Sequence, residues 1–303
     1  MPDRIAASAR HARALPPGRA LAWLALGCML LLTLGPLLVM LRTAVEQPIG
    51  LMERAGQWWV QDPTVVNFRR VLGGVSQEES IRLGGSGAEI DFLGALVNSL
   101  IFTSLVVVLQ TASSAMAAYA FARLRFPGRQ LLFALFMGSM MLPGVVLFIP
   151  NFILIRDLGL LNTMAGMVAP FALISGFSIF FLRQFFLALP RDLEEAARLD
   201  GASPWLTFRR IVLPLNLTPL ATVAMLTGIG AWNEFFWPFI VSPGEEHLVL
   251  PVALQAFKAQ SPQGQVDWTG LMAASSIALL PTLLLLLAAG RKVVESVQFS
   301  GGK

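Results

Sequence analysis

Long uncharged runs alternate with short polar breaks along this chain. Six runs carry no Asp, Glu, Lys or Arg: Leu21 to Leu41, Phe92 to Ala122, Gln130 to Ile155, Leu158 to Leu182, Ile211 to Asn233 and Trp268 to Gly290. Crossing about 30 Å of hydrocarbon takes about 20 helical residues, and each run meets that length. The pattern predicts an all-α integral membrane protein with six transmembrane helices. Pro143, Pro150, Pro170, Pro219, Pro238 and Pro281 are expected to interrupt or end these helices. Proline is tolerated in a membrane helix where neighbours or waters satisfy the freed carbonyls. Small and hydroxylated residues cluster over 111–118, Thr-Ala-Ser-Ser-Ala-Met-Ala-Ala, which favours close helix packing over a pore lining.

The first run follows a basic start, Arg4, Arg10, His11, Arg13 and Arg19 against Asp3, as a signal peptide does. A signal h-region is only about 7–15 residues long, and no A-x-A site follows this run. It therefore reads as an uncleaved first span. Between the first and second runs, residues 43–91 are polar, with Glu46, Glu53, Asp62, Glu78, Glu79, Glu89 and Asp91 against Arg54, Arg69, Arg70 and Arg82. This segment is too short for an independent domain with a good core. Trp58 and Trp59 suit a membrane interface, and Gly84 to Gly87 read as a flexible turn.

Composition agrees with the pattern. Hydrophobic residues make up 55% and charged residues 13%, against about 25% charged in an ordinary soluble domain. The net charge of +4 raises the question of nucleic acid, but the distribution of charge answers it. With the N-terminus inside, the inner segments hold Arg4, Arg10, Arg13, Arg19, Arg123, Arg125, Arg129, Arg183, Arg191, Arg198, Arg209, Arg210, Arg291, Lys292 and Lys303. Most acids fall on the other side. This is the positive-inside asymmetry of a membrane protein, with both termini in the cytoplasm and no need for a nucleic-acid partner.

Several chemistries are missing from the sequence. Cys28 is the lone cysteine, and His11 and His247 have no partner at metal-ligand spacing, so neither a disulfide framework nor a metal site is expected. No G-x-x-x-x-G-K-[ST], H-E-x-x-H or G-x-S-x-G occurs. No catalytic residue is assigned, and an enzyme is disfavoured. Uphill transport would draw on an ion gradient or on a partner. Ion-coupled carriers place ionisable residues in the membrane, and here Glu234 stands nearly alone, in Trp232-Asn233-Glu234-Phe235, with no cation in the other spans to pair with it. A partner that hydrolyses ATP is favoured over a stand-alone carrier.

The polar stretch over 192–214 carries Asp192, Glu194, Glu195, Arg198, Asp200, Arg209 and Arg210 between runs that carry no charge. Asp192 and Glu195 have the D-x-x-E spacing of a capping box, and Gly201 falls where a helix C-cap would be. Ser203-Pro204 predicts a second short helix, running to about Val212, with Pro214 at its end or at the start of the fifth span. Two physical readings remain open: a docking knob for a partner, or an amphipathic connector lying on the lipid surface.

The order Glu195-Ala196-Ala197, three residues, Gly201, nine residues, Ile211, one residue, Leu213-Pro214 resembles the EAA loop of ATP-binding-cassette importer permeases. Phe126-Pro127-Gly128-Arg129, Met141-Leu142-Pro143, Gly159 to Thr163, Leu182 to Phe186 and Trp232 to Phe235 are similar to segments of the carbohydrate-type permeases, among them the second maltose permease subunit. The resemblance covers about residues 92–303 and extends only loosely to the first span. Residues 43–91 depart from it.

What the resemblance implies is as follows. The chain is expected to be the permease of a binding-protein-dependent importer in a bacterial inner membrane. Its cargo is a sugar, oligosaccharide or sugar-like polyol, including glycerol phosphate; another small solute is the alternative. Its partners are a second permease, two copies of a cytoplasmic ATPase that hold the ATP and magnesium, a periplasmic or lipid-anchored binding protein, and lipid. No cofactor belongs to this chain. Glu195, Ala196, Ala197, Asp200, Gly201, Ile211, Leu213 and Pro214 would serve ATPase coupling, with Glu195 as a charged anchor, the alanines allowing close approach and Gly201 the turn. Trp232, Asn233 and Glu234 would line the substrate path or pin the helix end. The expected divisions are a cytoplasmic tail (1–20), a first span (21–41), a periplasmic loop (43–91), a five-helix core (92–291) and a cytoplasmic tail (292–303).

Overall fold

A computed structural model describes residues 17–54, 56–87, 90–259 and 266–299. Arg4, Arg10, Arg13 and Lys303, which entered the charge count, lie outside them, as does His11. All regular structure among the described residues is helical. Three helices are long and apolar enough to cross a membrane unaided: α1 (Pro17–Ala44), α4 (Phe92–Arg123) and α16 (Trp268–Phe299). Between α1 and α4 lie two short helices, α2 (Val66–Val71) and α3 (Gln77–Arg82). Residues 292–299, expected as a tail, continue α16.

The other three apolar runs are broken. The third forms α5 (Arg129–Ser139) and α6 (Gly144–Asp157), bent by 103°. Pro143 precedes α6 and brings no N–H to continue α5, which explains the stop. The fourth run forms α7 (Met164–Ala172) and α8 (Gly176–Ala188), bent by 46°. The polar stretch and fifth run form α9 (Asp192–Leu199), α10 (Pro204–Thr207), a π-helical turn (Phe208–Val212), α11 (Leu213–Leu215) and α12 (Leu217–Trp232), with an 82° bend into α12. Counting each bent pair as one span gives six. The chain closes with α13 (Phe236–Val241), α14 (Leu250–Ala253), α15 (Ala256–Ala259) and α16.

Backbone freed at these breaks is satisfied by side chains from other elements, as membrane depth demands. Ser175, between α7 and α8, donates its N–H to the hydroxyl of fully buried Ser114 on α4 (3.2 Å), and its own hydroxyl accepts from Ser178 N–H to cap α8. Pro170 lacks the N–H that would reach the Gly166 carbonyl one turn back. The indole N–H of Trp237 takes that carbonyl instead (3.2 Å). Asn216, buried at the bend into α12, donates to the Val212 carbonyl (2.8 Å).

Packing divides into clusters along the bundle. Ala115, Ala118 and Ala122 on α4 are buried together with Ile179, Leu182 and Phe186 on α8 and with Phe208, Val212 and Val223. The small residues over 111–118 thus serve helix packing, as their type favours. Phe102 and Val106 pack with Met167, Trp237 and Val249. At one end of α1, Ala44 packs with Val71, Phe92, Ala95, Leu271 and Phe257. Residues 43–91 are fastened there by polar contacts. Asn67 donates to the Ala44 and Glu46 carbonyls (2.9 and 2.8 Å), and Arg70 pairs with buried Asp267, which also accepts from the Ser86 and Gly270 N–H groups. Trp58 and Trp59 stand free of this packing, each more than four-fifths exposed.

Candidate functional site

The predicted docking stretch folds into a short helix, a tight turn and a second helical segment. Asp192, Glu194 and Glu195 occupy the first turn of α9, where negative charge suits the helix dipole. The expected capping box does not form. Asp192 is already helical, and Arg191 stands at the N-cap in α conformation with no side-chain cap. The reason lies in the preceding loop: Arg191 offers its carbonyl to both the Glu194 and Glu195 N–H groups (2.9 and 3.0 Å), so the helix begins without a side-chain acceptor.

The far end of α9 matches expectation. Gly201 has φ of +79°, and its N–H reaches the Arg198 carbonyl (3.0 Å) while Ala202 N–H reaches that of Ala197 (2.9 Å). This is the two-bond left-handed stop that glycine allows. Nothing lies within 4 Å of a Cβ placed on Gly201, so backbone conformation alone demands glycine there. Ser203 accepts from Leu206 N–H (3.3 Å), and Pro204 takes the first turn of α10.

Burial sorts the residues of α9 into two faces. Glu194 and Ala197 point into the protein, and Glu195, Ala196, Leu199, Asp200 and Gly201 point out. Ala197 is therefore a packing residue, and of the alanine pair only Ala196 offers close approach from outside. Glu195 makes no ion pair among the described residues. Its neighbour Glu194, only 5% exposed, pairs with Arg123 at the end of α4 (2.9 Å). Leu199 is 90% exposed on the outer face, and Trp205 on α10 is 57% exposed. Sequence reasoning overlooked both, although a leucine in a polar helix flanked by Arg198 and Asp200 was a readable signal. Beside α9 an open cavity of about 1130 Å³ is lined by Arg125, Arg129, Arg191, Glu195 and Arg198, among others.

Ile211, Leu213 and Pro214 lie apart from the exposed face of α9. Ile211 belongs to the π turn, with buried Val212 beside it, and Leu213 and Pro214 form the segment before the bend at Asn216. These residues shape how the stretch joins the fifth span.

Trp232, Asn233 and Glu234 sit at the opposite end of α12, where the helix stops. The Trp232 indole donates to the Ala278 carbonyl of α16 (3.1 Å), in the turn before Pro281. Asn233 donates to the Ile229 carbonyl of its own helix (2.8 Å). Glu234 accepts from the Trp237 N–H (3.1 Å) at the start of α13. Each of the three thus has a structural contact at the helix break.

The architecture defines a class before any sequence relative is considered. A bacterial ABC transporter involved in the import of the acidic polysaccharide alginate has a chain that superposes with a TM-score of 0.75, covering 90% of this chain and 95% of that one at 23% identity. The fold is that of an ABC importer permease. Residues 110–294 match the sequence profile of the binding-protein-dependent transport system inner membrane component, and the chain belongs to that family. Among its relatives is an sn-glycerol-3-phosphate transport system permease protein of Salmonella typhi, 36% identical over 67% of this chain and 71% of that one. Another is a diacetylchitobiose uptake system permease protein of Streptomyces coelicolor, 33% identical over 66% and 67%. The protein is accordingly an integral membrane permease of binding-protein-dependent transport, from a family of transport rather than catalytic subunits.

Proposed function

We propose that this permease imports a sugar, an oligosaccharide or a sugar-like polyol such as glycerol phosphate, and that α9 couples it to a separate cytoplasmic ATPase. The cargo class rests on the glycerol phosphate and diacetylchitobiose relatives. The coupling role rests on one observation: a short helix held by a buried ion pair on one side presents Leu199, Ala196 and Glu195 outward on the other. An exposed leucine on a polar helix costs hydrophobic free energy, about 1.5–3 kcal/mol for a side chain its size, unless something covers it. The basic residues at the end of α4 and the start of α5 support a cytoplasmic position for this face under the positive-inside rule, with both termini on the same side of a bacterial inner membrane.

In this account two ATPase copies bind the ATP and magnesium, and this chain's residues only receive and pass on their movement. A second permease completes the pair, and a binding protein delivers solute to the outer face. Glu195 and Asp200 offer charge to the ATPase, Ala196 and Leu199 fit close against it, and Gly201 lets the chain turn back. Ile211, Leu213 and Pro214 carry the movement into the fifth span. Asn233, with an exposed side chain at the far end of that span, is the residue there best placed to meet solute.

Reversal of charge or polarity on the outer face tests this directly. Glu195→Lys and Leu199→Asp should abolish binding-protein-dependent uptake and strip the ATPase from the purified complex, with membrane insertion unchanged. Normal uptake in both variants would sink the coupling role.

A further inference from the structure

The buried side of α9 carries a second arrangement that docking does not require. Arg123 is the last residue of α4, and its guanidinium bridges three elements. Its Nε stands 2.9 Å from Glu194 Oε1 in the first turn of α9, a charge contact rather than a hydrogen bond, because the Nε–H donates to the Phe186 carbonyl (3.1 Å). Its Nη2 donates to the carbonyls of Phe186 and Leu189, each at 2.6 Å, where α8 ends. Arg123 and Glu194 side chains are 5% and 6% exposed. A cation thus stands at the negative end of α8, where that dipole favours it, and meets an acid at the positive end of α9, where that dipole favours the acid. One turn earlier on α4, Tyr119 packs on Phe208 of the π turn, ring centroids 5.1 Å apart. Positions 119 and 123 share a face of the helix. That face of α4 therefore holds the coupling stretch at two points, one polar and one apolar.

A buried ion pair is weak evidence for stability, because desolvation offsets the Coulombic gain. Its geometry here suggests another use. The chain between α8 and α9 is only Leu189-Pro190-Arg191, and both its ends are tied to one guanidinium. Movement of α9 cannot be absorbed in that loop while the ties hold.

Resting on the coupling reading above, we propose that Arg123 and Glu194 form an internal strut that makes α9 move as one body with α4 and α8. Glu194 and Arg123 are positioning residues: they touch neither ATPase nor solute. Glu195 faces the partner, and Glu194 faces the spans. The strut converts displacement of the docking face into displacement of the second and fourth apolar runs.

The test uses the assembled transporter with its ATPase and binding protein, reconstituted in vesicles. Glu194→Gln should keep the ATPase bound and hydrolysing ATP. Solute moved per ATP should fall about tenfold, within the range of ordinary coupling between sites. Spin labels at exposed positions, Asp192→Cys on α9 and Arg125→Cys just past α4, in a Cys28→Ser background, should give a distance that is constant through the ATP cycle. Adding Glu194→Gln should make that distance vary with nucleotide. Should Arg123→Met fail to fold by leaving Glu194 unpaired, Arg123→Met with Glu194→Met removes both charges and should restore assembly while solute per ATP stays low. Conservative Arg123→Lys should recover part of the lost coupling. Unchanged solute per ATP in Glu194→Gln and in the double methionine variant would overturn the strut. So would loss of the ATPase from Glu194→Gln, which would place Glu194 in docking itself. Failure of the coupling reading looks different: the ATPase would stay bound and active in Glu195→Lys, with normal uptake.

Discussion

At the scale of single residues, the side chains that matter most are those that answer a backbone group left without a partner. Pro170 frees the Gly166 carbonyl, and the Trp237 indole takes it. Trp237→Phe removes the indole N–H together with part of the buried ring, and should therefore cost about 1–3 kcal/mol for the acceptor left unsatisfied, on top of the lost packing. Pro170→Ala supplies a new N–H to the same carbonyl, so in that background Trp237→Phe should cost less. Thermal melts of the four detergent-solubilised proteins measure the difference, and additive losses would contradict the account. The same logic gives the Trp232 to Trp237 run a structural role. Its aromatic and amide groups have the chemistry of a sugar site, but Trp232, Asn233, Glu234 and Trp237 are each engaged at a helix break. For the two tryptophans the engagement depends on carbonyls of α7 and α16, far away in sequence, and no local spacing records it. Adjacent acids pose the same problem. Glu194 and Glu195 are equivalent in composition, and only the end of α4 decides which is buried.

At the scale of elements, the turn after α9 was legible because its cause is local. A helix followed by glycine, then Ser-Pro, specifies a left-handed stop and a new N-cap, and Gly201 and Ser203 occupy those places. Gly201→Ala should destabilise the stretch by about 1 kcal/mol, because an L side chain is strained at this φ. Gly201→Asn should cost less, since asparagine tolerates the left-handed region. Hydrogen exchange over residues 192–207 reads the effect, and equal protection in all three proteins would contradict it. The broken spans were less legible. Pro143 gave warning of the 103° bend between α5 and α6. In the uncharged run over 158–182 Pro170 gave warning of an interruption but not of its place at 173–175, because what stabilises the break there is Ser114 on another helix. The capping box failed for a related reason: the loop entering α9 supplies a backbone acceptor first.

At the scale of the whole molecule, the division into apolar runs and basic inner loops fixed the class, since span length and charge asymmetry are averages over many residues. The segment over 43–91 was legible as polar but not as a clasp. Arg70 and Asp267 meet across most of the chain, joining this segment to the start of α16. The molecule thus has one end fastened by this segment, a bundle with three bent spans, and a face at the far end of α4 on which α9 is anchored from behind and open in front. The open face of α9 is where the proposed coupling commits itself. A photo-cross-linking amino acid at position 199, in membranes of cells that make the whole transporter, distinguishes the two ways of covering that face. An adduct identified by mass spectrometry as an ATP-binding-cassette subunit is the predicted result. Adducts to phospholipid, with no ATPase captured, would show α9 to be a connector on the membrane surface and would contradict the account.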